Sequence, residues 1–154
     1  MDRKLSLISI FVVVLLVLLL FLYSRDTTEF EKDELVIVNS LGEEVYVKVE
    51  LASDDTQHSK GLSGRGSLCD DHGMLFIFED DITSGFWMKD TSIPLSIAFI
   101  SENGTIIDIQ DMEPYSLKSH SPGVPYRYAL EVNQGFFLEN DVDVGDIVII
   151  PEYQ

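Results

Sequence analysis

The chain has 154 residues, 27 acidic against 10 basic, and a formal net charge of −17 at pH 7. Such a field repels nucleic acid and anionic headgroups and attracts cations and basic partners, which argues against a polyanion-binding role. One cysteine excludes an internal disulfide, so a domain of this length must be held by its core alone.

Residues 5–23 carry no charged side chain and are dominated by Val, Leu, Ile and Phe, with Ser6 and Ser9 near the start. At 1.5 Å per residue the run is long enough to cross a hydrocarbon core of about 30 Å as a helix. Arg3 and Lys4 precede it, and Asp26, Glu29, Glu31, Asp33 and Glu34 follow Arg25. The positive-inside rule then places the N-terminus in the cytoplasm. A cleaved signal peptide would have a shorter apolar region and small residues at its end, and Phe21-Leu22-Tyr23-Ser24-Arg25 has no such site. The expected organisation is a membrane anchor over residues 1–25, a tether over 26–33 and an extracytoplasmic domain over 34–154. The expected location is the cell membrane, with a single pass. From residue 26 onward there are 26 acidic and 7 basic residues, a charge that keeps a surface soluble and is screened beyond about 8 Å at physiological ionic strength.

Residues 35–38 form an apolar strand candidate. After the turn residues Asn39-Ser40-Leu41-Gly42, Val45, Val47, Val49 and Leu51 alternate with polar neighbours, the period of a half-buried strand. Together they predict a hairpin. Residues 53–68 read as a short helix capped by Ser53 and broken by Gly61, Gly64 and Gly66. Strands are predicted over 74–78 and 86–88, joined across Glu79-Asp80-Asp81. Two more, over 97–101 and 105–110, flank Asn103-Gly104, the strongest short hairpin signal. Residues 112–126 contain three prolines and read as a surface loop. Further strands follow over 128–132 and 147–150, with Asn133 capping a helical turn between them. The predicted fold is mainly β, a compact antiparallel β barrel or sandwich with one or two short helices, preceded by the transmembrane helix.

The chemistry concentrates between Gly73 and Ile100. Phe86 and Trp87 are followed by Lys89, Asp90 and Thr91, where a core strand would continue its apolar alternation. An Arg and a Lys beside an indole suit a carboxylate or sugar, since charge-assisted bonds orient an anion and the indole stacks on a flat face. Arg65, Trp87, Lys89, Asp90, Thr91 and Ser96 are therefore the candidate ligand-binding set. The competing reading is structural: Trp87 in the core, Lys89 paired with Asp90 or Glu131, Thr91 capping the turn before Pro94. Cys69-Asp70-Asp71-His72 are consecutive, whereas zinc ligands are usually spaced by two or more residues. No metal site and no cofactor are expected. Asn103-Gly104-Thr105 is a candidate N-glycosylation sequon on a predicted exposed turn.

The blocks Gly61-Leu62-Ser63-Gly64-Arg65, residues 73–100, Ala129-Leu130-Glu131-Val132-Asn133 and Gly145-Asp146 together resemble the DUF192 family, also called UPF0127. The resemblance covers roughly residues 45–150. It implies a domain of that family and no established reaction. The family commonly has Asn at the position of Asp90, Asp at that of Ser96 and Arg at that of Lys60. If the second of these supplies a catalytic carboxylate in the family, this chain lacks it.

The leading functional reading is a membrane-anchored binding or accessory module of the cell envelope, with an envelope protein or a small polar ligand as partner and no nucleic acid. The alternatives are an envelope hydrolase acting on peptide or glycan, with Lys89 and Asp90 as acid–base groups, and a purely structural interaction domain.

Overall fold

A computed structural model describes residues 11–17, 28–151 and 153. Seven strands make up one sheet: β1 (Glu31–Val38), β2 (Glu44–Ala52), β3 (His72–Ile82), β4 (Leu95–Ile100), β5 (Ile106–Met112), β6 (Tyr126–Asn133) and β7 (Ile147–Ile149). Their order is β5-β4-β6-β3-β2-β1-β7. The sheet curls until its two edges meet. Thr105 bridges Ile147, Ile106 N–H donates to Asp146 O at 2.9 Å, and Val148 N–H donates to Gly104 O at 2.8 Å. Among the described residues, 11–17 are helical (α1), and two short helices follow, α2 (Asp55–Lys60) and α3 (Phe136–Glu139). The fold is thus mainly β and barrel-like.

Alternation along the strands separates two cores. Leu35, Ile37, Val47, Val49, Leu130 and Val132 face the inside of the curl, where Phe136 and Phe137 of α3 pack against them. Met74, Phe76, Ile97, Phe99 and Ala129 face outward beneath the loop residues Leu62, Met88 and Ile93. β4 lies under both and is buried along its whole length, which is why it reads as a continuous apolar run.

The predicted hairpins form as β1–β2 and β4–β5. In the first, Asn39 Oδ1 accepts from the amides of Leu41 and Glu43. In the second, Gly104 has φ +84°, and a Cβ there would collide with the Val148 carbonyl oxygen. Four expectations are corrected. β2 and β3 are parallel, from Lys48 opposite His72 to Ala52 opposite Phe76. A parallel pair needs a crossover, and residues 53–71 supply it, carrying α2. β3 continues through Glu79–Asp81 to Ile82 after a register shift, and the expected strand over 86–88 reduces to an isolated bridge between Phe86 and His120. The N-cap of α2 is Asp54, whose Oδ1 accepts from Gln57 N–H at 2.8 Å, while Gln57 Oε1 accepts from the Ser53 amide. Gly135, not Asn133, precedes α3; Asn133 Nδ2 instead donates to the carbonyls of Leu68 and Cys69.

Among the described residues no helix is long and apolar enough to cross a membrane. Of the run read as an anchor, residues 5–10 and 18–23 lie outside the described residues, and residues 11–17 are helical and exposed.

Candidate functional site

A cleft of about 170 Å³ opens on the outer face of the sheet. One wall is the end of α2 and the turn after it, with His58, Lys60 and Ser63. The other is the β3–β4 connection, with Ser84, Phe86, Trp87, Lys89 and Thr91. Phe76, Phe78 and Glu131 make the floor. The crossover between the parallel strands therefore builds half of the site.

Both walls are fixed by hydrogen bonds. Phe86 and His120 exchange backbone bonds at 2.8 and 2.7 Å, Met88 N–H donates to Ser116 O, and Tyr115 N–H donates to Thr91 O. Gly64 N–H donates to Asp90 O at 2.8 Å, and Ser92 Oγ donates to Arg65 O at 3.0 Å, which laces the walls together. A Cβ on Gly85 would meet the Ser119 hydroxyl and the His120 carbonyl, so the close approach of residues 85–86 to 119–120 requires glycine. Alternation along this wall buries Met88 to 1% exposure and leaves Trp87 59% exposed. Lys89 Nζ lies 5.6 Å from the Trp87 ring centroid, a cation–π contact at the cleft edge. Opposite, the His58 ring packs 4.5 Å from Phe78, and its Nε2–H is shared between the carbonyls of Ala52 and Ile77.

Glu131 is the unusual group. It lies on β6 opposite Met74 of β3 and Ile97 of β4, in the apolar outer layer, and is 5% exposed. No basic side chain among the described residues comes within 4 Å of its carboxyl. Burial alone raises its pKa from the ordinary 4.5 to about 8. At neutral pH it is mainly protonated and offers one O–H donor and an acceptor to the cleft.

The structure brings Trp87, Lys89 and Thr91 to one cleft and leaves the other three predicted residues out of its lining. Arg65 forms a two-pronged ion pair with Glu50 at 2.9 and 2.5 Å and sits over the Phe30 ring, pinning the crossover to β2. The pair lowers the Glu50 pKa. Asp90 is exposed with φ +57°, a left-handed conformation that Asp and Asn tolerate better than most residues; its part is in the turn. Ser96 projects from the opposite face of the sheet, since it lies opposite Val132 while Ile97 lies opposite Glu131. Its hydroxyl donates to Asp111 Oδ1 at 2.5 Å and accepts from Gly135 N–H at 3.2 Å. Asn103 is exposed at its turn and accepts from the Ser101 hydroxyl.

Glu131 and Lys60 line the cleft but are not in the candidate set drawn from the sequence. Glu131 had a visible signal: it interrupts the apolar face that Ala129 begins on a strand whose other face is Leu130 and Val132. Asp71, in the Cys69–His72 loop, is held by Lys48 at 2.6 Å and His72 at 2.7 Å, which together lower its pKa to about 2. Among the described residues no three His, Cys, Asp or Glu side chains are placed to hold a metal ion.

The family model DUF192, described as an uncharacterized ACR, matches residues 36–150. A chain from Sinorhizobium meliloti 1021, described as "a putative transcription regulator", is similar with TM-score 0.78 and 33% identity, over 80% of this chain and 96% of that one. A protein of unknown function from Novosphingobium aromaticivorans DSM 12444 is similar with TM-score 0.76 and 26% identity, over 82% and 90%. No curated protein matches.

Proposed function

The chain belongs to the DUF192 family, and we propose that it binds a small polar ligand in the cleft above Glu131, as an extracytoplasmic module tethered by residues 5–23. The observation that carries this reading is the Glu131 carboxyl, buried in an apolar layer, without a protein partner among the described residues, and facing the cleft. Among the described residues no fully buried side-chain oxygen lacks a hydrogen-bond partner, so the Glu131 oxygens reach the cleft surface, where a ligand can meet a carboxyl otherwise set in an apolar layer. The exposed indole and two lysines at the rim supply a stacking surface and positive charge.

Binding is favoured over glycoside hydrolysis because that chemistry needs a second carboxyl within roughly 10 Å across the scissile bond, and Glu131 is the one acidic residue among those lining the cleft. The regulator description of the Sinorhizobium chain is not carried over, because a net charge of −17 opposes approach to a phosphate backbone.

The test is a screen of small carboxylates, sugars and amino acids against the isotope-labelled full chain in micelles, followed by amide NMR. Shifts should cluster at residues 58–63, 84–91 and 131. Lys89→Met keeps most of the aliphatic stem and removes the charge, so affinity for the hit should fall while the melting temperature changes little. Hits that shift residues elsewhere, unchanged affinity in the variant, or its unfolding would return the cleft to a structural role.

A further inference from the structure

We propose that the ligand is an acidic sugar unit, a pyranose bearing a carboxylate or phosphate; this rests on the cleft being a ligand site. The first support is the composition of the walls. Phe78, Phe86 and Trp87 bring aromatic rings to the lining, and the hydroxyl-bearing Ser59, Ser63 and Ser84 belong to the same lining, while the Thr91 hydroxyl donates to the Lys89 carbonyl. A pyranose has the matching surface, with C–H patches on its faces and hydroxyls around its edge. A planar aromatic acid would cover the rings and leave the hydroxyls without partners. An amino acid would bring its ammonium against two lysines.

Charge supplies the second support. Lys48, Arg65 and Arg127 each hold an acidic partner. Lys32, Lys60, Lys89 and Lys118 hold none within 4 Å among the described residues, and of these four Lys60 and Lys89 line the cleft. In a chain of net charge −17, two uncommitted lysines on facing walls form a local site for an anion. Lys89 rests against the indole, so an anionic substituent can meet the ammonium while the ring beside it packs on Trp87. Glu131 on the floor then exchanges hydrogen bonds with a sugar hydroxyl, accepting one and donating one when protonated. The cleft volume of about 170 Å³ admits one ring, and its open mouth leaves room for a longer glycan to continue outward.

Trp87 is the chain's one tryptophan, so emission from the full-length protein in detergent micelles reports this site directly. Titrations with glucuronate, galacturonate, glucose 6-phosphate, glucose and acetate at pH 7 test the assignment. At least one acidic sugar should change the emission saturably, at about one-tenth the concentration that glucose or acetate needs, the gain expected of a charge-assisted bond. The uronates against the sugar phosphate identify the anion. Changing Lys60→Gln and Lys89→Gln together should weaken the response about tenfold without altering the melting temperature; Lys60→Gln alone, which leaves the indole contact intact, should weaken it in the same direction. An equal response to glucose, or a response to acetate alone, overturns the acidic sugar. Sugars that leave Trp87 unchanged while another compound shifts the cleft resonances overturn it and leave the ligand cleft standing. No compound shifting the cleft removes both.

Discussion

Glu131 ties the stability of the fold to pH in a direction opposite to that of most carboxylates. Its pKa rises from 4.5 unfolded to about 8 folded. Below 4.5 both states are protonated and the group contributes nothing. Between 4.5 and 8 the unfolded state ionises first, so stability falls as pH rises, and the full cost persists above 8. At about 1.4 kcal/mol per tenfold in acidity, that cost is roughly 5 kcal/mol. Glu50 acts in the other sense: its pKa is lowered by Arg65, so its contribution disappears as pH falls below the ordinary carboxylate range. Urea unfolding from pH 5 to pH 9 should show declining stability in the wild type and a much flatter profile in Glu131→Gln. A wild-type profile flat across that range would mean that the carboxyl is solvated or paired. Residue type marked Trp87, Lys89 and Thr91 as anomalous after Phe86, because an apolar alternation breaks there. It could not separate Ser96 from them, since which face of β4 a side chain takes depends on register with β6. Arg65 was legible as an interacting cation, but Glu50, its partner fifteen residues upstream, was not.

At the scale of elements, β4 is the strand that both cores share. Phe99 is fully buried in the outer layer, 4.9 Å ring to ring from Tyr126 and 6.0 Å from Phe86, behind the cleft wall. Phe99→Ala should cost about 3–5 kcal/mol in urea unfolding; a loss below about 1 kcal/mol would show the layer to be loosely packed. Gly73 on β3 is a sharper probe of the β3–β6 seam, because a Cβ there would stand 2.6 Å from the Glu131 carbonyl oxygen. Gly73→Ala should destabilise by about 1–3 kcal/mol through overpacking and shift the amides around Glu131; wild-type stability with unmoved amides would contradict that contact. The two hairpins were legible because their turns carry local chemistry, Asn39 with Gly42 and Asn103 with Gly104. The parallel β2–β3 pair was not, because period-two alternation reveals a strand and its faces but not its neighbour. The bridge at Phe86 has the sequence pattern of a strand for the related reason that Phe86, Trp87 and Met88 alternate as a strand does while pairing with a loop.

Across the whole molecule, the cleft proposed as a ligand site lies on the outer face of a curled sheet that follows a proposed tether. The chain enters the domain beside the cleft: the Glu29 carbonyl accepts from Gln57 Nε2 on α2, whose last turn carries His58 and Lys60. With the eight residues 26–33 reaching at most about 29 Å when extended, the proposed anchor would hold the site near the bilayer. Protease added to intact cells should therefore remove the domain, and protection until lysis would contradict that topology. The charge that opposes nucleic acid was readable from composition, whereas the small positive cleft within it was not, because Lys60 and Lys89 meet only after the crossover folds over the sheet. Carbon-13 titration of the Glu131 side-chain carboxyl in the full chain reads its environment without any ligand. A midpoint near 8 is predicted for a buried carboxyl facing the cleft without a protein partner; a midpoint near 4.5 would contradict it.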